Sequence, residues 1–207
     1  EVKENGYPIN IVVEPIDSNS EEVIELSVRI ESTHDQTLPR LHYRSSIRLQ
    51  KQALSSFTHT PGAYTEKKLT VQKAYSEWLF HGPRFQVIEK IFGLSDSGAK
   101  AIVRTSSPDL WLNSPGGSDN KWATDPALVD AAAQMIILWT RAFLNETALP
   151  ARFDRVIRFN KTMPEKVVMD LQRLETKQPH VIRANVYFAD EENNILLMIE
   201  GMECVSS

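Results

Sequence analysis

The sequence predicts an α+β fold in which an antiparallel sheet wraps one long, buried helix. Three observations carry this expectation. A single apolar segment of helical length lies between Ala127 and Trp139, several other segments alternate apolar and polar residues with a period of two, and turn signals join neighbouring segments as hairpins.

The elements follow in chain order. INIVVEPI (Ile9 to Ile16) reads as a strand, with Pro15 near its end, where a missing N–H is tolerated. In VIELSVRI, Ile24, Leu26, Val28 and Ile30 alternate with Glu25, Ser27 and Arg29. LHYRSSIRL repeats the pattern: Leu41, Tyr43, Ile47 and Leu49 share one face, and His42, Arg44, Ser46 and Arg48 share the other, which makes His42 a solvated residue. A polar stretch from Ser55 to Lys68, containing Pro61 and Gly62, reads as a linker reaching to residue 74. It separates a strand-only part (1–54) from a longer part (75–207).

The longer part opens with the aromatic-rich AYSEWLFHGPRFQ, followed by a hairpin turning at Ser95-Asp96-Ser97-Gly98. An irregular stretch from Thr105 to Thr124 is long enough to suggest a functional loop. The helix runs from Pro126 to Leu144, with Asp125 as N-cap and Pro126 at the first helical position, where its absent N–H costs nothing. Strands are expected near Phe153–Phe159 and Val167–Leu174. A closing hairpin is expected last, with Ile182, Ala184, Val186 and Phe188 alternating before the ADEENN turn and ILLMIEGMEC returning.

Composition excludes several functions. A net charge of -4 and a pI near 5.8, with the cations spread along the strands, argue against nucleic-acid binding. The single cysteine, Cys204, excludes a disulfide framework and a cysteine zinc site, and fits a reducing, cytoplasmic setting. No apolar run approaches the roughly 20 residues that span a bilayer, and EVKENGYPIN lacks the apolar core of a signal peptide. The sequons at Asn145 and Asn160 are therefore expected to be chance matches. A glutamate at position 1 suggests a chain cut from a longer polypeptide.

Eleven of the thirteen residues in ALVDAAAQMIILW are apolar, all the way round, so the helix is expected to be buried on every side. The exceptions, Asp130 and Gln134, stand four apart and share a face. A carboxylate is costly to bury without partners, so the pair marks a buried polar site. It serves either as a structural hydrogen-bond network or as catalytic machinery. In the second case desolvation would favour the protonated acid, giving a general acid held by an amide that both donates and accepts.

DPALVDAAAQ (Asp125–Gln134) resembles the H-P-A-L-L-D-A-A-x-Q motif of polyketide synthase dehydratase domains, which have a double-hotdog fold. FHGPRFQ (Phe80–Gln86) resembles that family's Y-G-P-x-F motif, and also dehydratase-like regions of polyunsaturated fatty acid and enediyne synthases. LPARFDRVIRF and the closing IEGMECV fit the rest of a second hotdog, so the likeness covers Tyr75–Val205. It implies one complete C-terminal hotdog and a partial N-terminal hotdog. Asp130 would protonate the leaving β-hydroxyl, Gln134 would support it, and His81, Gly82, Pro83 and Phe85 would line the substrate channel. The substrate implied is a β-hydroxyacyl chain on the phosphopantetheine arm of an acyl carrier protein, with no further cofactor, no metal, and neighbouring synthase domains as partners.

The likeness has gaps. The family's base is a histidine in H-x-x-x-G-x-x-x-x-P, and His34, His42, His59, His81 and His180 all fail that pattern. Asp125 replaces the leading histidine of one motif and His81 the tyrosine of the other; His81 then serves as a substitute base or packs where the tyrosine would. Either the catalytic half lies outside this chain or the domain is a degenerate, non-catalytic hotdog that binds acyl chains or scaffolds a synthase. A product-template cyclase shares the fold, but Gln134 stands where a histidine would be expected. Half a pseudo-dimer would expose apolar sheet surface, so a homodimer is expected.

Overall fold

The structure, a computed structural model, describes residues 8–16, 22–32, 39–112, 121–159 and 162–207. They belong to two units, Glu1–Ala53 and Leu54–Ser207. In the first, β1 (Ile9–Ile16), β2 (Val23–Ser32) and β3 (Arg40–Gln50), each a strand the sequence predicts, pair antiparallel in that order. Ile11 stands opposite Ile30, Val13 opposite Val28, and Leu26 opposite Ile47. Because alternate side chains share a face, these form one apolar surface; Arg29 and Glu14 occupy the other and bond at 2.7 Å. Ile11, Val13 and Tyr43 remain exposed. His42 is exposed as expected and bonds Ser32 at 2.7 Å.

The second unit has a short helix, α1 (Val71–Lys73), and wraps a sheet on a long one, α2 (Pro126–Phe143). Its strands are β4 (Ile88–Ser95), β5 (Gly98–Arg104), β6 (Ala148–Arg152), β7 (Arg155–Arg158), β8 (Lys166–Leu174), β9 (Val181–Ala189) and β10 (Ile195–Ser206). The order is β4-β5-β8-β9-β10-β6, with β7 pairing the first half of β10. Asp125 caps α2 by accepting from the Ala127 N–H at 2.9 Å. Leu128, Met135, Ile136 and Leu138 bury against Met169, Leu171, Val186 and Phe188 of the sheet, each worth about 1.5–3 kcal/mol of transfer free energy. Trp139 is also enclosed, its indole N–H donating to the Ser95 carbonyl at 2.9 Å. Cys204 lies in the same core, where burial pushes its thiol up to about 12, so it packs as an apolar group. No helix among the described residues is long and apolar enough to cross a membrane.

Two expectations need adjustment. The strand expected near Phe153–Phe159 is β7, and a further strand that the sequence did not predict, β6, precedes it across Phe153 and Asp154. The reason lies in β10: Ile199 faces Val186 but Met202 faces Ala184, so β10 carries one extra residue there. Gly201 takes the left-handed φ of +57° this bulge needs, its N–H donating to Asn185 Oδ1 at 2.9 Å. The bend hands β10 from β7 to β6.

The second correction concerns residues 55–74, expected as a linker. Their first part is a strap laid along the sheet, and Leu54 already belongs to the second unit. The Phe57 carbonyl accepts from Ile195 N–H at 2.9 Å, and His59 N–H donates to Asn193 at 2.9 Å. Lys67 and Leu94 exchange two backbone bonds. Between these anchors the strap meets Asp170, which alternation along β8 points away from the core-facing Met169 and Leu171. Asp170 is 1% exposed and accepts from His59 Nε2 at 2.7 Å, Gly62 N–H at 3.1 Å and Gln172 Nε2 at 3.0 Å. The His59 ring stacks on Tyr187 at 4.1 Å. A Cβ on Gly93 would fall 2.0 Å from the Tyr64 carbonyl oxygen, so only glycine lets the strap lie this close.

Gly93→Ala should therefore lift the strap and cost about 1–3 kcal/mol of unfolding free energy, the usual range for overpacking. Urea unfolding and limited proteolysis between residues 55 and 68 measure this; unchanged stability and cleavage would refute the strap's anchoring.

Candidate active site

The site is assembled where the segment after the strap meets the first turns of α2. Thr70 caps α1 by accepting from Lys73 N–H at 3.2 Å. The chain then widens into one π-helical turn over Ala74–Trp78, closed by Leu79 N–H donating to Ala74 at 2.8 Å. This turn carries Tyr75 to the helix: its hydroxyl donates to Gln134 Oε1 at 3.0 Å and accepts from the Ile88 N–H at 3.0 Å.

Farther on, Gly82 and Pro83 start a tight turn over Pro83–Phe85. It aims the Phe85 carbonyl at Gln134, whose Nε2 donates to it at 2.8 Å. The other Nε2 hydrogen goes to Asp130 Oδ2 at 2.7 Å. His81 Nε2 lies 3.5 Å from that same oxygen, and its ring stacks on the exposed Phe80 at 4.5 Å. Among the described residues, His81 Nδ1 is buried with no partner, and Asp130 Oδ1 accepts no hydrogen bond. The Phe85 ring meets Trp111 edge-on at 4.5 Å.

Asp130, Gln134, His81 and Phe85 thus come together as the sequence suggests, although Phe85 meets the site through its carbonyl. Gly82 and Pro83 shape the turn and stay exposed. Gly82 has an ordinary φ of -70° and open space at its Cβ position, so its backbone does not demand glycine. The expectation of a buried polar pair holds for only one member. Gln134 is fully enclosed, whereas the Asp130 side chain keeps 30% exposure. Ala127 and Leu128 are buried, but the unbroken buried run of α2 begins at Ala131, after the half-buried Val129 and Asp130, so the carboxylate is partly open and the amide enclosed.

Tyr75 was not among the residues the sequence singled out; it stands at the start of the aromatic segment, undistinguished from its neighbours. Burial pushes its hydroxyl up to about 12, so it is a neutral donor at physiological pH. Two cavities of about 360 Å³ flank α2, one by Ser106, Asp125 and Arg158, the other by Trp139, Arg173 and His180; neither is lined by Asp130 or Gln134. Among the described residues no three His, Cys, Asp or Glu side chains cluster as metal ligands would.

Tyr75 also ties stability to alkaline pH. Its folded value lies above the ordinary 10.0 of an unfolded tyrosine, so its contribution is complete below about pH 10 and lost as pH rises toward about 12. Burial raises Tyr64 in the same direction. The urea midpoint should fall above about pH 10, less steeply in Tyr75→Phe; identical slopes in the two proteins would contradict this.

Comparison with known proteins places this geometry. Residues 58–207 match the family described as polyketide synthase dehydratase N-terminal domain. Over 88 residues the chain is 30% identical to one of the polyunsaturated fatty acid synthase subunits of a Thraustochytrium species, covering 42% of this chain and 3% of that one. A trans-AT polyketide synthase dehydratase domain from Brevibacillus brevis superposes with a TM-score of 0.70 at 17% identity, covering 97% of this chain and 70% of that one. The dehydratase of the CurK module of curacin polyketide synthase, solved as an inactive aspartate-to-asparagine mutant, gives 0.64 at 17% identity, covering 96% and 67%. An inactive histidine-to-phenylalanine mutant of the same domain is also known. The second unit, an antiparallel sheet wrapped on a long central helix, has the hotdog architecture of these domains. The chain belongs to the polyketide synthase dehydratase family.

Proposed function

We propose that this chain supplies the acid side of a dehydratase site in a polyketide or polyunsaturated fatty acid synthase. The substrate is a β-hydroxyacyl thioester carried on the phosphopantetheine arm of an acyl carrier protein. The Asp130 carboxyl gives its proton to the β-hydroxyl as the Cβ–O bond breaks and water leaves. A base removes the α-proton, and the electrons of that C–H bond become the Cα–Cβ double bond of the enoyl thioester. The carboxylate left behind recovers its proton from the base or from water, so the cycle consumes nothing and needs no further cofactor.

The observation that carries this reading is the division of labour at Asp130. Oδ2 is held by Gln134 at 2.7 Å, and Oδ1 is left without a partner among the described residues on a side chain that keeps 30% exposure. A carboxyl positioned through one oxygen and open at the other suits proton delivery. The inactive aspartate-to-asparagine mutant of the CurK dehydratase supports the choice of residue. His81, Gly82, Pro83 and Phe85 are proposed to border the acyl chain. The α-proton base is assigned to a histidine outside these residues, since no histidine here stands in the family's motif.

The setting proposed is a cytoplasmic multidomain synthase whose neighbouring domains deliver and receive the carrier protein. A homodimer is also proposed, because exposed Ile11, Val13 and Tyr43 share the apolar face of the first unit's sheet; sedimentation as a monomer at micromolar concentration would count against it.

In the synthase polypeptide that carries this domain, Asp130→Asn should reduce enoyl product by at least about a hundredfold, the scale of a lost general acid, with unfolding unchanged. Full dehydration in that variant would sink the acid assignment. If the unaltered polypeptide makes no enoyl product while still binding acyl-carrier protein, the domain is the non-catalytic hotdog.

A further inference from the structure

We infer that Tyr75 is a positioning residue that fixes the orientation of the Gln134 amide, and through it the Asp130 carboxyl. The inference rests on the proposed dehydratase reading for its consequence, but its geometry stands by itself.

A glutamine side chain is ambiguous, because rotation by half a turn exchanges its oxygen and its NH₂ group. At Gln134 that ambiguity matters. In one orientation the NH₂ faces Asp130 and the Phe85 carbonyl. In the other, the oxygen faces two acceptors and is repelled by both. The neighbours of Tyr75 decide between them with directed hydrogen bonds. The Ile88 N–H belongs to the start of β4 and can only donate; it donates to the Tyr75 oxygen at 3.0 Å. That occupies a lone pair of the hydroxyl and turns its single hydrogen toward Gln134 Oε1, 3.0 Å away. With Oε1 claimed, both amide hydrogens point to the other side, to Phe85 O at 2.8 Å and Asp130 Oδ2 at 2.7 Å.

Donor and acceptor therefore alternate without a break from the sheet backbone to the carboxylate. Each link is directed by the one before it. The phenol keeps the hydrogen this requires because burial opposes its ionisation. Gln134 is completely enclosed, so water cannot substitute for either partner. Removing the Tyr75 hydroxyl leaves the enclosed Oε1 without its donor, so the amide is held from one side only. Asp130, one third exposed and at the edge, then loses the contact that selects which oxygen faces the substrate.

A structural role and a positioning role make different predictions. If Tyr75 acts through Gln134, the two side chains form one unit and their effects on rate must not add. Tyr75→Phe should lower kcat about tenfold, the equivalent of one hydrogen bond, with KM little changed. Tyr75→Phe combined with Gln134→Ala should be no slower than Gln134→Ala alone. Additive losses, or a loss confined to KM, would overturn the inference. A second measurement needs no turnover: in the unaltered 207-residue chain, the Gln134 NH₂ protons should show NMR contacts to Asp130 and Phe85 rather than to Tyr75. Contacts to Tyr75 instead would overturn it even if every variant failed to fold. Dehydration that survives Asp130→Asn would remove the functional reading while leaving this geometric result intact.

Discussion

Enclosure of α2 is the constraint from which the site follows. From Ala131 to Thr140 the helix has no solvent side, so any polar atom there must find a partner in the protein. Thr140 solves this locally by donating to the Ile137 carbonyl at 3.0 Å. Gln134 cannot, because its amide carries donors and an acceptor beyond the reach of its own backbone. Its partners come from a π-helical turn, a tight turn and the preceding helical turn, and the geometry that satisfies them also aligns Asp130. Burial, usually a stabilising feature only, here also bears on the orientation of the Asp130 side chain.

The same economy governs the other face of the sheet. Asp170 is as enclosed as Gln134 and collects His59, Gly62 and Gln172 as donors. It ties down a segment whose composition alone suggested a free linker. The glycines at 93 and 201 serve this scaffold in different ways, the first by admitting the strap at close range and the second by bending β10. The opening turn of α2 is held by Asp125, which accepts from Ser106 as well as from the helix.

Local patterns were legible in the sequence, and contacts made at long range were not. The alternation in β1 to β3, the Asp125-Pro126 helix start and the closing hairpin depend on neighbours within a few residues, and each stands where the sequence put it. The break between β6 and β7 escaped because its cause is Gly201, some fifty residues later. The strap escaped because Pro61 and Gly62 signal irregular backbone without saying what it binds. Asp130 and Gln134 stood out as polar residues in an apolar helix. Their unequal burial did not, since Gln134 is covered by partners distant in sequence, Tyr75 and Phe85. Tyr75 became visible only when its hydroxyl was seen between Ile88 and Gln134.

In the proposed reaction the open oxygen of Asp130 meets the β-hydroxyl of an acyl thioester. Carbon-13 NMR of the Asp130 carboxyl, during titration with a β-hydroxyacyl pantetheine thioester and with its analogue lacking the hydroxyl, tests this directly. A shift of that resonance with the hydroxylated ligand alone is the expected result. Equal shifts with both ligands, or none with either at concentrations that saturate binding, would contradict it.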